Sequence, residues 1–425
     1  MSIDEESGGE RPRATGWQTL ACCALLVSPF LPLLAQAQEA TPNDLATAIS
    51  SGDAGVDLRY RFEHVDQDNI AKTASASTLR LRLNYATLPF RNIKGFVEFD
   101  YVAELLVDDF NSGGGTSPNR TQYPVVADPD GADLNQLYLD FGAIPDILLR
   151  LGRQRILLDN QRFVGGVGWR QNEQTYDGAT LKWNGLEQTE LQYSYVTRVN
   201  RIFGDSSPAG RDDSNTHLLN ARFMLPETWT LSAYAYRIDD DDVSAFSTLT
   251  VGARLNGSIP AGERKMTLTG EIASQSDAAS APVDYRATYY RFDAAIAVTD
   301  MLSLGLGYES LGGDQTAAGK AFRTPLATLH AFQGWADVFL NTPDAGIDDL
   351  FATVSVKQGN WAFAGTWHQF SAADGGADWG SEIDVSASRK LGERYGLLLK
   401  AAAFNADNAA FADTRKLWLM LTAAY

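Results

Sequence analysis

The residues best placed to do chemistry in this chain are five arginines in segment 147–171, which reads ILLRLGRQRILLDNQRFVGGVGWRQ. A guanidinium group stays charged at any physiological pH, and its planar fork of N–H donors matches carboxylates, phosphates and sulfates. The whole chain is nevertheless acidic, with a formal net charge of -18, which argues against a nucleic-acid partner. Arginines on an apolar frame in an acidic chain predict a local site for an anion. The five are Arg150, Arg153, Arg155, Arg162 and Arg170.

Histidine and cysteine indicate little catalytic chemistry. The four histidines (His64, His217, His330 and His368) have no metal-ligand spacing, and the sequence contains no nucleophile elbow, P-loop or dinucleotide-binding motif. A lipid hydrolase would need a histidine and a serine together on a lipid-facing surface, and His217 is the histidine whose position would suit it. We interpret His217 instead as a residue of the membrane interface. The sequence therefore predicts no enzyme and no cofactor.

Two acidic loops are candidates for cation binding. Segment 126–135 (VADPDGADLN) places Asp128, Asp130 and Asp133 around a glycine, and such oxygen ligands suit calcium. The segment lacks the full EF-hand loop, so a solvated loop is the alternative. Segment 238–243 (IDDDDV) is similar. Loops of this kind could also serve a surface adhesin, which stays a further alternative.

The elements that position the arginines are predicted to be strands. In segments 56–63 (VDLRYRFE) and 78–85 (TLRLRLNY), leucines and aromatics alternate strictly with arginines and other polar residues. A helix would spread these charges around its surface, whereas a strand places them on one face. Similar runs continue to the C-terminus. Tight turns and long polar loops alternate between about eighteen such runs, as in an outer-membrane β-barrel with periplasmic turns and extracellular loops.

The chain divides into three predicted parts. Residues 1–37 read as a secretory signal peptide with an apolar run and an A-x-A cleavage site. Residues 38–54 form a periplasmic lead-in, and residues 55–425 form the barrel. After the signal no run of about 18 apolar residues occurs, so no transmembrane helix is expected. The last strand ends on Tyr425, which resembles the signal read by the barrel-assembly machinery.

Lipid fixes the direction in which the arginines face. A charge that faces lipid at mid-bilayer depth costs about 2–4 kcal/mol, so the apolar series must face outward and the arginines inward. Some of these arginines would neutralise carboxylates of the wall, and others would line an anion path; both interpretations stay open. The strand arginines are Arg59, Arg61, Arg80, Arg82, Arg150, Arg198, Arg222, Arg254 and Arg291.

Two long motifs resemble the alginate-export porin family of Gram-negative outer membranes. They are LRLGRQRILLDNQRFVGGVGWRQNEQTYDGA (149–179) and TPLATLHAFQGWADVFLNTPDAGIDDLF (324–351). The resemblance implies a monomeric barrel of eighteen strands with an arginine-rich constriction that passes an anionic polyuronate outward. Only the five arginines of segment 147–171 and the 324–351 loop match motif for motif. The loop 311–346 is expected to cap or enter the pore, where His330, Trp335, Asp337 and Asp348 would contact the solute. Packing of this loop on its neighbours for shape is the alternative.

The sequence thus predicts an all-β transmembrane barrel in the outer membrane of a Gram-negative bacterium, surrounded by lipid and lipopolysaccharide. Its predicted function is passive passage of anionic sugars, uronate oligomers or polysaccharide along an arginine-lined lumen. A general or small-carboxylate uptake porin is the main alternative. An outer-membrane hydrolase and a surface adhesin are lesser ones.

Overall fold

The computed structural model describes residues 42–425, so the predicted signal peptide at 1–37 lies outside the described residues. The chain forms a single antiparallel sheet of eighteen strands that closes on itself, because β1 pairs with both β2 and β18. This confirms the predicted fold class. The strands are β1 (Asp53–Gln67), β2 (Ala74–Ala86), β3 (Ile93–Asp109), β4 (Gly131–Phe141), β5 (Ile147–Gln154), β6 (Thr175–Trp183), β7 (Thr189–Asn200), β8 (Arg211–Met224), β9 (Thr230–Ile238), β10 (Thr248–Ala261), β11 (Arg264–Asp277), β12 (Arg286–Ala297), β13 (Leu302–Leu311), β14 (Ile347–Gln358), β15 (Trp361–Ser371), β16 (Asp378–Leu391), β17 (Tyr395–Ala406) and β18 (Thr414–Ala424).

Helices are few and short. Helix α1 (Leu45–Ser50) precedes β1, and Asp44 caps it by accepting a hydrogen bond from the Thr47 backbone N–H at 2.8 Å. Three 3-10 turns lie in loops, at Pro118–Arg120, Ser244–Phe246 and Leu329–Ala331. Within residues 42–425, no helix is long and apolar enough to cross a membrane.

The strands alternate as the sequence predicts. In β2, Arg80 and Arg82 are buried inside the barrel while Leu83 is 46% exposed on the outer surface. In β18, Lys416 and Trp418 are buried whereas Leu417 is exposed. The apolar outer surface suits lipid, and the charged inner surface is possible because the lumen contains other polar groups.

Two long loops fold into the barrel instead of standing outside it. The 155–174 loop joins β5 to β6, and the 312–346 loop joins β13 to β14. They meet main chain to main chain: the Gly165 N–H donates to the Leu326 carbonyl at 2.8 Å, and the Thr328 N–H donates to the Gln161 carbonyl at 3.0 Å. The sequence left open whether the irregularity after Gly152 is a bulge or an inward fold; the chain after Gln154 folds inward.

An aromatic cluster fixes the two loops to the wall. Phe163 of the 155–174 loop lies 5.0 Å from Tyr289 and 5.7 Å from Phe322, ring centre to ring centre. Phe339 of the 312–346 loop packs 4.7 Å from Phe370 of β15. Large buried aromatics of this kind contribute much of the packing energy of a core. The two loops thereby fill the middle of the lumen and narrow it.

Candidate functional site

The arginines of β1 and β2 hold the 155–174 loop in place. Arg59 donates to the backbone carbonyls of Gly168 and Arg170 at 2.8 and 2.7 Å, and Arg61 donates to the carbonyl of Trp169. Arg61 also pairs with Glu63 at 3.1 Å. These guanidinium groups are buried beneath the loop and donate hydrogen bonds to its backbone carbonyls.

Asp337 of the 312–346 loop is the centre of a second set of charges. Its carboxylate accepts from Arg170 at 3.2 Å, from Lys416 of β18 at 2.7 Å and from the Nδ1 of His330 at 2.6 Å. Burial lowers the pKa of His330 to about 3, so the ring is neutral and can donate from Nδ1 while its Nε2 accepts. Its Nε2 lies 2.6 Å from the Nζ of Lys400. The carboxylate thus joins both inner loops to the wall.

Trp335 covers Lys400 of β17. The Lys400 Nζ lies 3.6 Å from the ring centre of Trp335 and 4.3 Å from that of Trp169, which is close contact between a cation and an aromatic face. The ring of Trp169 also stacks on His330 at 4.5 Å. Reasoning from the sequence did not name Lys400 or Lys416 as site residues, although both stand at inward positions of alternating strands, a signal that would have found them.

A third group of charges, two arginines and three carboxylates, connects β2, β3 and the 155–174 loop. Arg82 forms two 2.6 Å hydrogen bonds to Asp100 and one of 2.7 Å to Glu173. Arg155 lies 2.6 Å from Glu98 and also bonds to Glu173. Unlike Arg82, the Arg155 side chain retains 26% exposure.

The wall between β10 and β13 alternates in charge. Arg254, Glu271, Arg291 and Glu309 occupy paired positions on four successive strands. Arg254 lies 2.8 Å from Glu271, and Arg291 lies 3.5 Å from Glu309. Arg162 of the inner loop adds a 2.8 Å contact to Glu309. Opposite charges on neighbouring strands stabilise the wall, so these arginines have a structural task.

Basic side chains nearer the short turns are less enclosed, and we call Arg150, Lys182 and Arg222 the basic wall. They lie on β5, β6 and β8. Arg150 is bonded to Asp140 at 2.7 Å and lies over the ring of Tyr138 at 3.7 Å. The Arg222 side chain is 40% exposed, and the Asp159 carboxylate lies 4.0 Å from it. Lys182 is half-buried.

Three predicted residues lie elsewhere than the sequence suggested. A register shift between Val196 and Arg198 takes Arg198 out of the alternation, and it pairs at 2.8 Å with Asp213 on the exposed side of β8. Asp348 is not in the inner loop, because β14 begins at Ile347; it alternates outward and bonds to Ser310 at 2.6 Å. Arg153 pairs with Asp177 at 2.8 Å and lines a small polar cavity outside the basic wall.

Most predicted arginines are paired. Among the described residues, all thirteen except Arg59 have a carboxylate oxygen within 4.0 Å; the remaining pairs are Arg80 with Asp57 and Arg170 with Glu63. Because nearly all of these arginines are paired, they differ from one another mainly in how far their side chains are exposed.

The three aspartates of the predicted calcium loop point to different places. Asp128 is buried and accepts the Gln171 N–H at 2.8 Å, while Asp133 accepts the Asp205 N–H at 2.9 Å. Asp130 lines a separate 310 Å³ cavity of the outer loop. In the described chain, no three His, Cys, Asp or Glu residues are arranged to hold a metal. Strand and loop geometry thus gives the three predicted ligands different neighbours.

His217 contacts tyrosines. Its Nδ1 lies 2.7 Å from the Tyr193 hydroxyl, and its ring packs 5.1 Å from that of Tyr195. These neighbours suit the membrane interface, where amphipathic rings accumulate.

Comparison with known proteins agrees with this architecture. The family model for alginate export matches residues 51–308, more than half of the chain. No curated protein matches significantly.

Among solved structures, OccK9 (OpdG) of Pseudomonas aeruginosa is similar at a TM-score of 0.68 and 14% identity, over 89% of this chain and 100% of that one. OccAB4 of Acinetobacter baumannii is similar at a TM-score of 0.67 and 14% identity, over 88% and 97%. The outer membrane protein OpdK of P. aeruginosa, crystallised with vanillate, is similar at 0.67 and 13% identity, over 88% and 98%. The eighteen-stranded closed barrel and the family match agree: the chain belongs to the alginate export family and is a porin of the outer membrane.

Proposed function

We propose that this porin passively conducts small anionic solutes, carboxylates and sugar acids, along the basic wall. The observation that supports this proposal is the exposure of the guanidinium groups in the basic wall. The side chains of Arg150 and Arg222 are 26% and 40% exposed, whereas those of Arg61 and Arg162 are 1% and 0% exposed. Only an exposed guanidinium group can exchange a wall carboxylate for a passing one.

The partial pairing of the basic wall suits transport. A conducting site must attract a solute strongly enough for it to enter and weakly enough for it to leave. Asp140 beside Arg150 and Asp159 near Arg222 moderate the positive field in this way. A solute carboxylate would replace one ion pair by another of similar strength, so that no deep trap forms.

The inner loops favour small solutes over polymers. The 155–174 and 312–346 loops meet across the lumen and pack on buried aromatics, which leaves a narrow route. The relative OpdK was crystallised with vanillate, a small carboxylate, and this supports carboxylates of that size as first probes.

Outward passage of a uronate polymer is the second candidate, and the family match to alginate export favours it. A polymer needs the inner loops to move aside, whereas a small solute does not. Liposomes that contain the purified porin should swell in isosmotic galacturonate or vanillate if the first proposal holds. Release of a labelled oligouronate without uptake of the monomers would favour the second.

The direct test is ion selectivity in planar bilayers. The wild type should prefer anions, and the double variant R150A/R222A should lower the anion-to-cation permeability ratio by about twofold to threefold, because two exposed positive charges leave the route. R120A is the matched control, because Arg120 of the loop after β3 pairs with Asp108 at the end of that strand. A wild type that prefers cations, or an unchanged ratio in R150A/R222A, would reject the proposal.

A further inference from the structure

Two buried carboxyl groups of β16 stand side by side in the lumen with one oxygen each left unpaired. Glu382 and Asp384 are both 0% exposed and are two residues apart, so they share the inner face of the strand. In the structure from residue 42 onward, Glu382 Oε2 and Asp384 Oδ1 have no hydrogen-bond partner. Buried carboxylate oxygens are costly when unpaired, so these two oxygens require a hydrogen between or beside them.

The other two oxygens hold the tip of the 312–346 loop. The Ala336 N–H donates to Glu382 Oε1 at 2.7 Å, and the Trp335 N–H donates to Asp384 Oδ2 at 3.1 Å. Gln333 and Gly334 just before them have positive φ values of 56° and 82°. This backbone turns two successive N–H groups toward the carboxyl pair, in the manner of an anion-binding nest. The carboxyl pair is therefore an anchor of the inner loop.

The positive charges around Glu382 and Asp384 do not balance the negative charges of the site. On β15, His368 Nε2 lies 3.7 Å from Asp384 Oδ2, while its Nδ1 lies 2.9 Å from Asp349 of β14. Lys400 of β17 pairs in register with Ser386, two residues after Asp384, and is the ammonium group that interacts with Asp384. Three carboxylates thus face two cationic centres even when His368 is protonated, and one additional proton balances the set. The other titratable groups nearby already have partners. Asp337 is bonded to Lys416 and to the neutral His330. Arg291 is bonded to Asp293, and Glu309 to Arg162.

We propose that Glu382 and Asp384 share one proton, and that this proton keeps the loop tip 333–337 seated in the lumen. A single hydrogen between Oε2 and Oδ1 satisfies both unpaired oxygens and leaves one negative charge for the two backbone donors. When the proton is lost at high pH, two like charges repel each other in a buried site. The tip then leaves its seat and the route widens. The widening rests on the proposed channel function, whereas the shared proton does not.

Infrared spectroscopy tests the shared proton without reference to transport. The spectrum is recorded at a pH of about 8, because burial raises the pKa of Asp240 in the outer 239–247 loop to about 6, and that group must be deprotonated. Under this condition the wild type should still show the C=O stretch of a protonated carboxyl group. E382Q should lose that band, because the glutamine amide replaces the proton as a donor to Asp384. D108N, in the exposed pair between the end of β3 and Arg120, should keep it. Absence of the band from the wild type would overturn the proposal.

Conductance tests the coupling. Wild-type single-channel conductance should rise by about twofold when the pH is raised from roughly 5 to roughly 9, since deprotonation releases the tip. E382Q mimics the protonated pair and should stay at the low level throughout, while D108N should follow the wild type. A conducting wild type with no pH response, or an E382Q variant that responds like the wild type, would reject the coupling. A barrel that shows the infrared band but conducts nothing would instead contradict the channel function and leave the proton pair supported.

Discussion

At the scale of residues, most lumen charges organise the protein, and few are left to meet a solute. Arg61 and Arg150 were equivalent in the sequence, since both alternate with apolar residues on a strand. In the structure Arg61 is 1% exposed beneath the 155–174 loop, whereas Arg150 remains open to the lumen. Alternation predicts the face of a side chain because the period of a strand is two. It carries no information about which loop later covers that face.

Asp337 provides the prediction at this scale. Replacing it by alanine leaves Lys416 buried without its carboxylate, although Arg170 keeps Glu63 at 3.0 Å. An unpaired buried charge typically costs about 3–5 kcal/mol. Thermal unfolding in detergent should therefore begin at a clearly lower temperature in D337A. D348N is the matched control, because Asp348 lies on the outer face, and its effect should stay below about 1 kcal/mol. Equal stability of D337A and the wild type would contradict the central role of this carboxylate.

At the scale of elements, strands were predictable and inner loops were not. Period-two alternation and the sequence of short turns and long loops predicted about eighteen strands, and the sheet has eighteen. The 155–174 and 312–346 loops have no such period, and their path depends on contacts between distant residues such as Gly165 and Leu326. Asp348 shows the consequence: the sequence placed it in a loop, but β14 had already begun at Ile347.

Gly334 tests how the inner loop is seated. Its φ of 82° suits glycine, and a Cβ added there would collide with the Glu382 carboxylate. G334A should therefore unseat the loop tip and raise single-channel conductance at neutral pH by about twofold. Gly376 in the 372–377 loop has a φ of 65° but open space around its Cβ position, so G376A controls for backbone strain alone. If both variants conduct like the wild type, the tip does not limit the route.

At the scale of the whole molecule, the net charge and the proposed anion path have opposite signs. The chain carries -18 formal charges, yet the basic wall lies inside. Exposed acids such as Asp130, Asp205 and Asp241 belong to long loops outside the strands. An anion that enters from that side must first cross a negative field, so the loops should slow its entry while the basic wall favours its passage. Salt separates the two effects, because screening acts most strongly on exposed charges.

The triple variant D130N/D205N/D241N should therefore raise anion conductance at low salt and leave it unchanged at high salt. The Debye length is about 30 Å at roughly 0.01 M and about 3 Å at roughly 1 M, so the loop charges reach the entrance only in dilute solution. R150A/R222A should instead change selectivity at both salt levels, since enclosed charges are screened less. Conductance measured across this range, with anion-to-cation ratios from reversal potentials, distinguishes the two patterns. An equal response of both variants to salt would contradict the separation of an acidic loop region from a basic wall inside the lumen.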